Sequence, residues 1–299
     1  MLLPPLAVVE RDAPLPFRTL VARADRIDAA PRGRAAALAR AFSTAPDKPL
    51  AVAPVLRDVE CGDAADAPWI CADPGHARAD IGALRLMRCG DLDLSRDEAD
   101  ALLRELKPVF GDAGFELSAP APNRWFLRGL VSDQYPDAPD PEDILGDDLE
   151  AHLPGGRDAP KWRRLLNESQ VVLHNHAVNA ARAARGLVTA NTLWFWGGGR
   201  MPALAREFRA SMTSDRVATA LARAAGAVRF EPDALARAEL PALIECWSPV
   251  AWTWFCREGH ALVAGALRRG ADALELEAWS GERFLYRRGH RWRFWRKPA

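Results

Sequence analysis

A continuous apolar run, Leu193–Trp196, dominates the hydrophobic pattern of the chain. Such a run predicts a strand covered on both faces, although periodicity alone does not separate it from a buried helical segment. The glycines that follow, Gly197–Gly199, are predicted to end the strand. They would form either a tight turn or a nest of backbone N–H groups that binds an anion. Arg200 adds positive charge, and Pro202 is placed to begin a short helix whose N-terminus would add further donors.

A helix is predicted from Pro160 to Arg185, with proline in its first turn and a glycine after its end. On one continuous helix, Asn175, Asn179 and Arg182 fall on a single stripe, and His176 lies at the edge of the apolar face. These side chains could therefore face one pocket. The alternative is a core histidine bonded to the backbone beside a solvated edge of Asn and Arg residues.

Together the helix and the strand predict one ligand pocket for a phosphate or carboxylate. The predicted binding residues are Asn175, His176, Asn179, Arg182, Asn191, Trp196, Gly197, Gly198, Gly199 and Arg200. Taken by itself, the strand with its glycines is better explained as a core strand followed by a turn.

The remaining pattern predicts a mixture of strands and helices. Ser95 and Glu98 have the spacing of a capping box, so a helix should begin there and run through Lys107. The acidic, lysine- and arginine-free segment 132–150 should be a mobile loop. The other predicted helices are 215–225, 249–269 and 17–42, the last with an interruption near 30–33. One strand, 69–76, is predicted to end at an Asp-Pro-Gly turn. The other predicted strands are 2–9, 49–55, 84–87, 115–117, 124–130, 227–230, 240–247, 273–279, 283–287 and 291–296.

Composition excludes several classes of protein. The chain carries 40 basic and 40 acidic residues, so no overall charge favours nucleic acid or an anionic membrane. Its five cysteines form no CxxC pair, which is typical of reduced thiols or small buried hydrophobic residues. The N-terminus lacks a basic leader region, and no apolar run reaches the ~20 residues that span a bilayer. We therefore expect a cytoplasmic protein.

Familiar catalytic signatures are missing from the chain. We find no GxSxG, P-loop, HExxH or strand-linked GxGxxG motif. His174 and His176 would lie roughly 200° apart on one helix, so they could not share a metal ion through it. We accordingly predict no metal, no cofactor and no catalytic residue, and we favour a protein that is not an enzyme.

The C-terminal segment Arg287–Lys297 mixes aromatic residues with arginines. This combination can stack on and neutralise a single-stranded nucleic acid. However, Trp292 and Phe294 alternate with Arg291 and Arg293 as in an amphipathic edge strand, whose charges discourage aggregation. The edge-strand interpretation is preferred, so a nucleic-acid partner is not expected.

A family resemblance rests on the segments already described. Leu173–Asn179 with Arg182, and Trp194–Arg200, resemble the RpfE-type regulatory protein family of bacteria. Ala177 stands where that family is expected to have proline. The same helix and strand are similar to a part of archaeal-type cofactor-independent phosphoglycerate mutases, in the alkaline-phosphatase superfamily.

The resemblance implies an α/β fold, a sheet with helices on both faces that carries an inserted small α+β unit. Residues 1–64 and 151–299 would form the core lobe, and 65–150 the insert ending in the acidic loop. Because the metal-binding residues expected in a mutase are missing, we expect a non-catalytic regulatory or ligand-sensing protein, with no membrane partner. The alternatives are a phosphoglycerate-mutase-like phosphotransferase and a nucleic-acid-binding regulator.

Overall fold

The computed structural model describes residues 1–27, 32–42, 49–65, 67–129, 135–136, 138–153, 155, 158–204, 208–231, 234, 239–269 and 271–298. The α-helices within these ranges are α1 (Leu6–Asp12), α2 (Leu15–Arg23), α3 (Arg34–Phe42), α4 (Ala53–Cys61), α5 (Arg96–Asp112), α6 (Ala159–Asn175), α7 (Ala177–Ala184), α8 (Arg216–Ala224), α9 (Pro249–Trp254) and α10 (His260–Arg269). The strands are β1 (Leu2–Leu3), β2 (Asp25–Ile27), β3 (Trp69–Asp80), β4 (Ala83–Cys89), β5 (Phe115–Ala121), β6 (Arg124–Gly129), β7 (Thr192–Gly199), β8 (Ala210–Met212), β9 (Val228–Arg229), β10 (Ala242–Ile244), β11 (Ala273–Ala278) and β12 (Arg283–Arg287).

The chain forms two compact units. Unit 1 comprises residues 1–50 and 203–299, and unit 2 comprises residues 51–202. The inserted unit is therefore wider than the predicted range 65–150. Its boundaries differ because β7 pairs with β3, which draws the helices α6 and α7 and the predicted core strand into unit 2.

Unit 1 is built on a largely parallel set of strands. One group has the order β9-β8-β10 and the other the order β1-β11-β12-β2. A parallel bridge between Leu2 and Glu245 joins the two groups, with the amide of Cys246 donating to the carbonyl of Leu2 at 2.9 Å. In the second group, β1 and β11 are parallel, whereas β12 runs antiparallel to both β11 and β2.

Helices cover both faces of this sheet, as the predicted α/β class requires. Leu276 of β11 packs into an apolar cluster with residues of α1, α2, α9 and α10. The next residue, Glu277, points to the other face because side chains alternate along a strand. There its carboxylate accepts a hydrogen bond from Arg40 Nε of α3 at 2.6 Å.

Unit 2 contains an antiparallel sheet centred on the long strand β3. Along one edge, β3 pairs with β7 from Trp69 to Gly75. Along the other edge it pairs first with β6 and then with β4, while β5 extends the sheet beyond β6. The predicted capping box is confirmed: Ser95 Oγ accepts from the amide of Glu98, and Glu98 Oε2 accepts from the amide of Ser95. The helix it begins extends past Lys107 to Asp112.

The prediction of a strand at Leu193–Trp196 covered on both faces is confirmed. Phe195 packs between Phe110 of α5 and Trp162 of α6. On the opposite face, Trp194 donates its indole N–H to the carbonyl of Pro139 at 2.9 Å. The strand lies in the antiparallel sheet of unit 2, and not in the core lobe to which residues 151–299 were assigned.

Prolines account for two wrong predictions near the N-terminus. The predicted strand 2–9 ends at Leu3, because Pro4 and Pro5 lack the N–H that a ladder requires, and α1 follows. The predicted strand 49–55 is replaced by α4, which has a proline in its first turn. The predicted helix 17–42 is divided by β2, and its interruption near 30–33 falls largely outside the described residues.

The Asp73-Pro74-Gly75 segment is strand and not turn. The carbonyl of Pro74 accepts from the amide of Gly90 at 2.9 Å, which keeps the ladder with β4 intact. A Cβ at Gly75 would lie 3.1 Å from Thr192 Cγ2 and 3.2 Å from the carbonyl oxygen of Arg88. The glycine therefore allows two neighbouring strands to approach β3 closely.

The acidic segment predicted as a mobile loop packs against β4 in the part described here, residues 138–150. The amide of Gly146 donates to the carbonyl of Leu86, and the amide of Leu86 donates to the carbonyl of Asp147. Ile144 and Leu149 are buried beneath it. The few apolar residues of this segment therefore help to hold it against β4, although its acidic composition predicted a mobile loop.

The last predicted strand, 291–296, does not form. A 3-10 helix spans Arg288–Trp292, and the amide of Arg293 continues the turn by donating to the carbonyl of His290. The guanidinium group of Arg293 then hydrogen-bonds to the carboxylate of Asp25. Side-chain contacts with β2, and not a strand ladder, hold this segment in place.

Candidate functional site

The predicted helix Pro160–Arg185 is interrupted at His176. This residue ends α6 and caps α7 in an extended conformation, with φ −74° and ψ 136°, and its Nδ1 accepts from the amide of Val178 at 3.1 Å. The predicted stripe of Asn175, Asn179 and Arg182 required a continuous helix. Because the helix is interrupted at His176, that geometric prediction is wrong.

Asn179 and Arg182 are buried and bind the backbone of their own unit. The Asn179 amide nitrogen donates to the carbonyls of Leu173 and Ala190, each at 2.7 Å, and its oxygen accepts from the amide of Ala190. Arg182 donates to the carbonyls of Val188 at 2.8 Å and Leu92 at 2.5 Å. Both side chains therefore fix the connection between α7 and β7.

Arg182 also forms a buried ion pair with Glu98 at 2.5 Å. Partial burial favours a higher pKa for Glu98, but the amide of Ser95 and the guanidinium groups of Arg185 and Arg182 outweigh it, and the pKa is lowered. Glu98 consequently links the first turn of α5 to α7 as an anion.

Asn175 and Asn191 lie together on the surface of unit 2. The exposed Asn175 donates to the carbonyl of Val171 at 2.9 Å, and Asn191 bonds both the amide and the carbonyl of Ala77, at 2.7 and 2.8 Å. Both residues line a shallow depression of about 480 Å³ that also includes His174. Of the ten predicted binding residues, these two are brought together here.

The three glycines belong to β7 and lie in close contact with other parts of unit 2. A Cβ at Gly197 would lie 2.4 Å from Val52 Cγ2, one at Gly198 2.5 Å from Tyr135 Cβ, and one at Gly199 2.6 Å from Ala51 Cβ. The glycines therefore allow close backbone packing and do not present the open nest that was predicted.

Arg200 is exposed after the strand, and residues 201–204 are not helical, so the helix predicted from Pro202 is missing from the described part of this segment. The indole N–H of Trp196 donates to Asp73 at 3.0 Å. The ten residues are thus distributed over several contacts of unit 2, and ligand binding by them stays a prediction.

Replacing Gly197 by Ala should destabilise unit 2 by about 2–4 kcal/mol, because φ is +64° and the new methyl group would overlap Val52. Gly114→Ala is the matched control, since Gly114 has φ +81° with nothing within 4 Å of its Cβ position. It should lose about 1 kcal/mol. If urea unfolding showed equal losses of unfolding free energy in the two variants, close packing at Gly197 would not be important.

A buried charged cluster that the sequence did not reveal lies between β3, β6 and β7. Asp73, fully buried, accepts from Arg124 Nη1 at 2.8 Å, from Trp196 Nε1 at 3.0 Å and from the amide of Trp125 at 3.4 Å. Burial raises the pKa of Asp73, while the charge of Arg124 and the Trp196 indole oppose the rise. The sequence placed Asp73 in a turn, which concealed its position.

Two cysteines border this cluster. Burial, reinforced by the Asp73 carboxylate, raises the pKa of the Cys71 and Cys89 thiols well above the usual value. Both thiols are therefore neutral near pH 7 and poor nucleophiles. The cluster has the character of a structural ion pair with well-placed hydrogen bonds, and not of a reactive site.

In unit 1, polar residues meet where β8 and β10 end, the edge at which α/β sheets commonly bind ligands. The carboxylate of Glu245 is buried there, and its donors within the described part of the chain are backbone amides and hydroxyl groups. The donors are Thr213 Oγ1, Ser214 N and Oγ, Asp215 N, Trp247 N and Ser248 N.

The second carboxylate at this edge, Asp215, is held by a buried ion pair with Arg34, and it also caps α8 by accepting from the amide of Ala218 at 2.7 Å. A catalytic metal ion needs carboxylate oxygens directed at it. Because Asp215 and Glu245 direct their oxygens at N–H and O–H donors, they do not fit such an ion. In the described ranges no group of three or more His, Cys, Asp or Glu side chains could hold a metal.

Unit 1 also contains a mainly apolar cavity of about 590 Å³. It lies at the amino ends of β1, β10 and β11, and its apolar wall includes Leu2, Phe208, Leu243, Val263, Leu267, Leu274 and Phe284. Charged residues also line this cavity. Glu277 accepts from Arg40 Nε at 2.6 Å and lies 3.8 Å from Arg283 Nε.

Sequence comparison finds local similarity to phosphoglycerate mutases. A segment of 65 residues is 43% identical to a probable 2,3-bisphosphoglycerate-independent phosphoglycerate mutase of Geobacter sulfurreducens, covering 22% of this chain and 16% of that protein. A segment of 62 residues is 40% identical to the Methanosarcina barkeri 2,3-bisphosphoglycerate-independent phosphoglycerate mutase, covering 21% and 16%. The similarity thus spans 16% of the length of these curated relatives and shows partial homology to the mutases.

Two solved structures are similar over most of the chain. The cofactor-independent phosphoglycerate mutase from Thermoplasma acidophilum has a TM-score of 0.42 and 16% identity, covering 93% of this chain and 82% of the other. The PH0037 protein from Pyrococcus horikoshii has a TM-score of 0.49 and 13% identity, covering 92% and 80%. No protein-family model matches, and the resemblance to the RpfE-type family stays a prediction. Within the described ranges, none of the helices has the length and apolar character to cross a bilayer.

Proposed function

We propose that this chain is a non-catalytic, ligand-sensing regulatory relative of the phosphoglycerate mutases. The observation that carries the proposal is the cavity of about 590 Å³ in unit 1. A volume of this size, with mainly apolar walls and a few charged groups, is typical of small-molecule sites. Its ligand would be a small carboxylate with an apolar body.

The chemistry of the wall supports this class of ligand. Arg283 is the more accessible of the two cavity arginines, with 26% of its side chain exposed against 9% for Arg40. A carboxylate could bond the Arg283 guanidinium while its apolar body lies against Leu243 and Phe284. Exposed Asp272 and Glu275 also line the cavity and would repel a more highly charged ligand, which favours a monocarboxylate over a phosphorylated metabolite.

The strand ends of unit 1 support a non-catalytic role. A general base must have a lone pair available for the proton it accepts. Glu245 is surrounded by donors, and Asp215 is bound to Arg34. These contacts are suited to holding the loops after β8 and β10, and neither of these two carboxylates is prepared for proton transfer.

Isothermal titration with 3-phenylpropionate tests the cavity directly. We expect saturable binding, weakened roughly 10- to 100-fold by Arg283→Ala because a charge-assisted hydrogen bond is lost. Ala266→Phe, which places a ring in the cavity from α10, should abolish binding. Arg257→Ala removes an exposed arginine outside the cavity lining and serves as the charge-matched control.

Phenyl phosphate and 3-phosphoglycerate are titrated in the same way as comparison ligands. Tighter binding of either one than of 3-phenylpropionate would contradict the monocarboxylate assignment. Binding of 3-phenylpropionate that persists unchanged in Ala266→Phe would place the ligand elsewhere and overturn the cavity as the sensing site.

The alternative function is phosphoglycerate mutase activity, favoured by the local identity of 43% over 65 residues to the Geobacter sulfurreducens protein. An enolase-coupled assay with 3-phosphoglycerate, run with and without manganese, distinguishes the two functions. We expect no turnover above background. Turnover that a chelator removes would establish the mutase instead.

A further inference from the structure

A cleft of about 310 Å³ lies in unit 1 between α2, α10 and the C-terminal segment. Four arginines line it, Arg23, Arg268, Arg288 and Arg291, and none of its described lining residues is acidic. A chain with no net charge therefore concentrates positive charge at one concave site.

Backbone contacts hold these arginines in position without neutralising them. Arg23 Nη1 donates to the carbonyl of Arg291 at 2.9 Å, and Arg288 Nη2 donates to the carbonyl of Arg268 at 2.7 Å. The buried Nε of Arg23 has no hydrogen-bond partner within the described part of the chain.

Exposed aromatic side chains follow the cleft residue Arg291 along the chain. Trp292 is 67% exposed, Phe294 74% and Trp295 65%. The guanidinium group of Arg291 lies over the Trp292 ring, 4.9 Å from its centroid. Several large exposed aromatics within four residues are characteristic of binding surfaces. The edge strand that accounted for these aromatics in the sequence does not form, so that explanation no longer applies.

Asp25 is an acidic residue that contacts the C-terminal segment, and its partners there are basic groups outside the cleft lining. Its carboxylate accepts from Arg293 and lies 3.4 Å from His290 Nε2, 3.6 Å from Arg296 Nη1 and 4.0 Å from Arg287 Nη1. The four arginines of the cleft remain available to a ligand.

We propose that the arginine cleft and Trp292 bind single-stranded nucleic acid. Arginine forks match phosphate geometry, and exposed aromatic rings stack on unpaired bases. The site contains both features side by side, and it is concave, whereas a membrane surface is flat. The described basic residues of the cleft lining are all arginines, which favours paired hydrogen bonds to phosphodiesters over a diffuse attraction to lipid.

Fluorescence anisotropy with a 5′-labelled oligothymidylate, using the full chain, tests the proposal. For about three phosphate contacts, the plot of log affinity against log salt should have a slope near −2, equivalent to roughly tenfold weaker binding between 50 and 150 mM salt. A duplex of the same length should bind more weakly, because its bases are not available to stack.

Variants separate the charge contribution from stacking. Arg288→Ala/Arg291→Ala should weaken binding at least tenfold and make the salt slope shallower by about 1.4. Trp292→Ala should weaken binding roughly 5- to 10-fold with an unchanged slope. Arg288→Lys/Arg291→Lys should retain the slope, which confirms that the site folds without the original side chains. Arg104→Ala/Arg163→Ala, on exposed helices of unit 2, changes net charge equally and should have no effect.

Several results would overturn the proposal. These are no binding at 50 mM salt, equal binding of duplex, or full affinity in the Arg288→Ala/Arg291→Ala variant. Co-sedimentation with phosphatidylglycerol vesicles that depends on Trp292, without oligonucleotide binding, would assign the surface to a membrane instead.

Discussion

Arg182→Ala should destabilise unit 2 by about 3–5 kcal/mol, because it removes the buried donor of the Glu98 carboxylate and leaves the carbonyls of Leu92 and Val188 without the guanidinium group. Arg182 is 1% exposed and bonds Glu98 as well as the carbonyls of Leu92 and Val188. Urea unfolding and native-state hydrogen exchange of the α7 amides measure the loss. Exchange should accelerate first in α7 and in the connection to β7.

Arg185→Ala is the matched control, since Arg185 pairs with the same carboxylate at 2.5 Å but has 56% of its side chain exposed. Exposed ion pairs contribute little, so its loss should stay below about 1 kcal/mol. If the two variants were equally destabilised, burial of Arg182 would not be the source of its effect.

The pH dependence of the Arg182 effect follows from Glu98. Its pKa is lowered in the folded protein, so the carboxylate contributes stability above its unfolded pKa of about 4.3 and loses that contribution as pH falls through the folded value. The difference between wild type and Arg182→Ala should be constant from about pH 6 to 8 and shrink below about pH 4. A difference independent of pH down to acid unfolding would indicate lost packing alone.

Asp73→Asn should cost about 3–5 kcal/mol, since it leaves the guanidinium group of Arg124 charged and buried with 6% of its side chain exposed. Glu60, at 3.7 Å from Arg124 Nε, is too distant and too exposed to replace Asp73. Urea unfolding monitored by tryptophan fluorescence reports on the site, because Trp196 donates to Asp73.

Two further variants show whether the unpaired charge is responsible. Asp73→Asn/Arg124→Met removes both charges and should recover part of the stability lost in the single variant. Trp196→Phe removes one hydrogen bond while keeping a ring in place and should lose about 1 kcal/mol. A double variant less stable than Asp73→Asn would mean that Arg124 stabilises unit 2 independently of Asp73.

Much of the local structure could be predicted from the sequence. The apolar run Leu193–Trp196 is a strand covered on both faces, and Ser95 with Glu98 caps α5. These predictions succeed because hydrophobic periodicity and capping depend on residues a few positions apart. The pattern also predicted a mixture of strands and helices, while the α/β arrangement was implied by the family resemblance.

The predicted pocket shows where local reasoning fails. His176 interrupts the helix, which separates residues that a continuous helix would align. Glycines chosen as an anion nest instead allow contacts with Val52, Tyr135 and Ala51, which are distant in sequence. A glycine pattern is the same for a nest and for close packing, so only the neighbours distinguish the two.

The sequence by itself determined the composition of this protein, its neutral overall charge and the identity of most of its helices and strands. Only the tertiary structure decided that β7 lies in unit 2, that Asp73 and Arg124 form a buried pair, and that four arginines from three segments share one cleft. The physical reason is that burial and electrostatic fields arise from residues far apart in the chain, whose proximity exists only once the sheet and helices have packed.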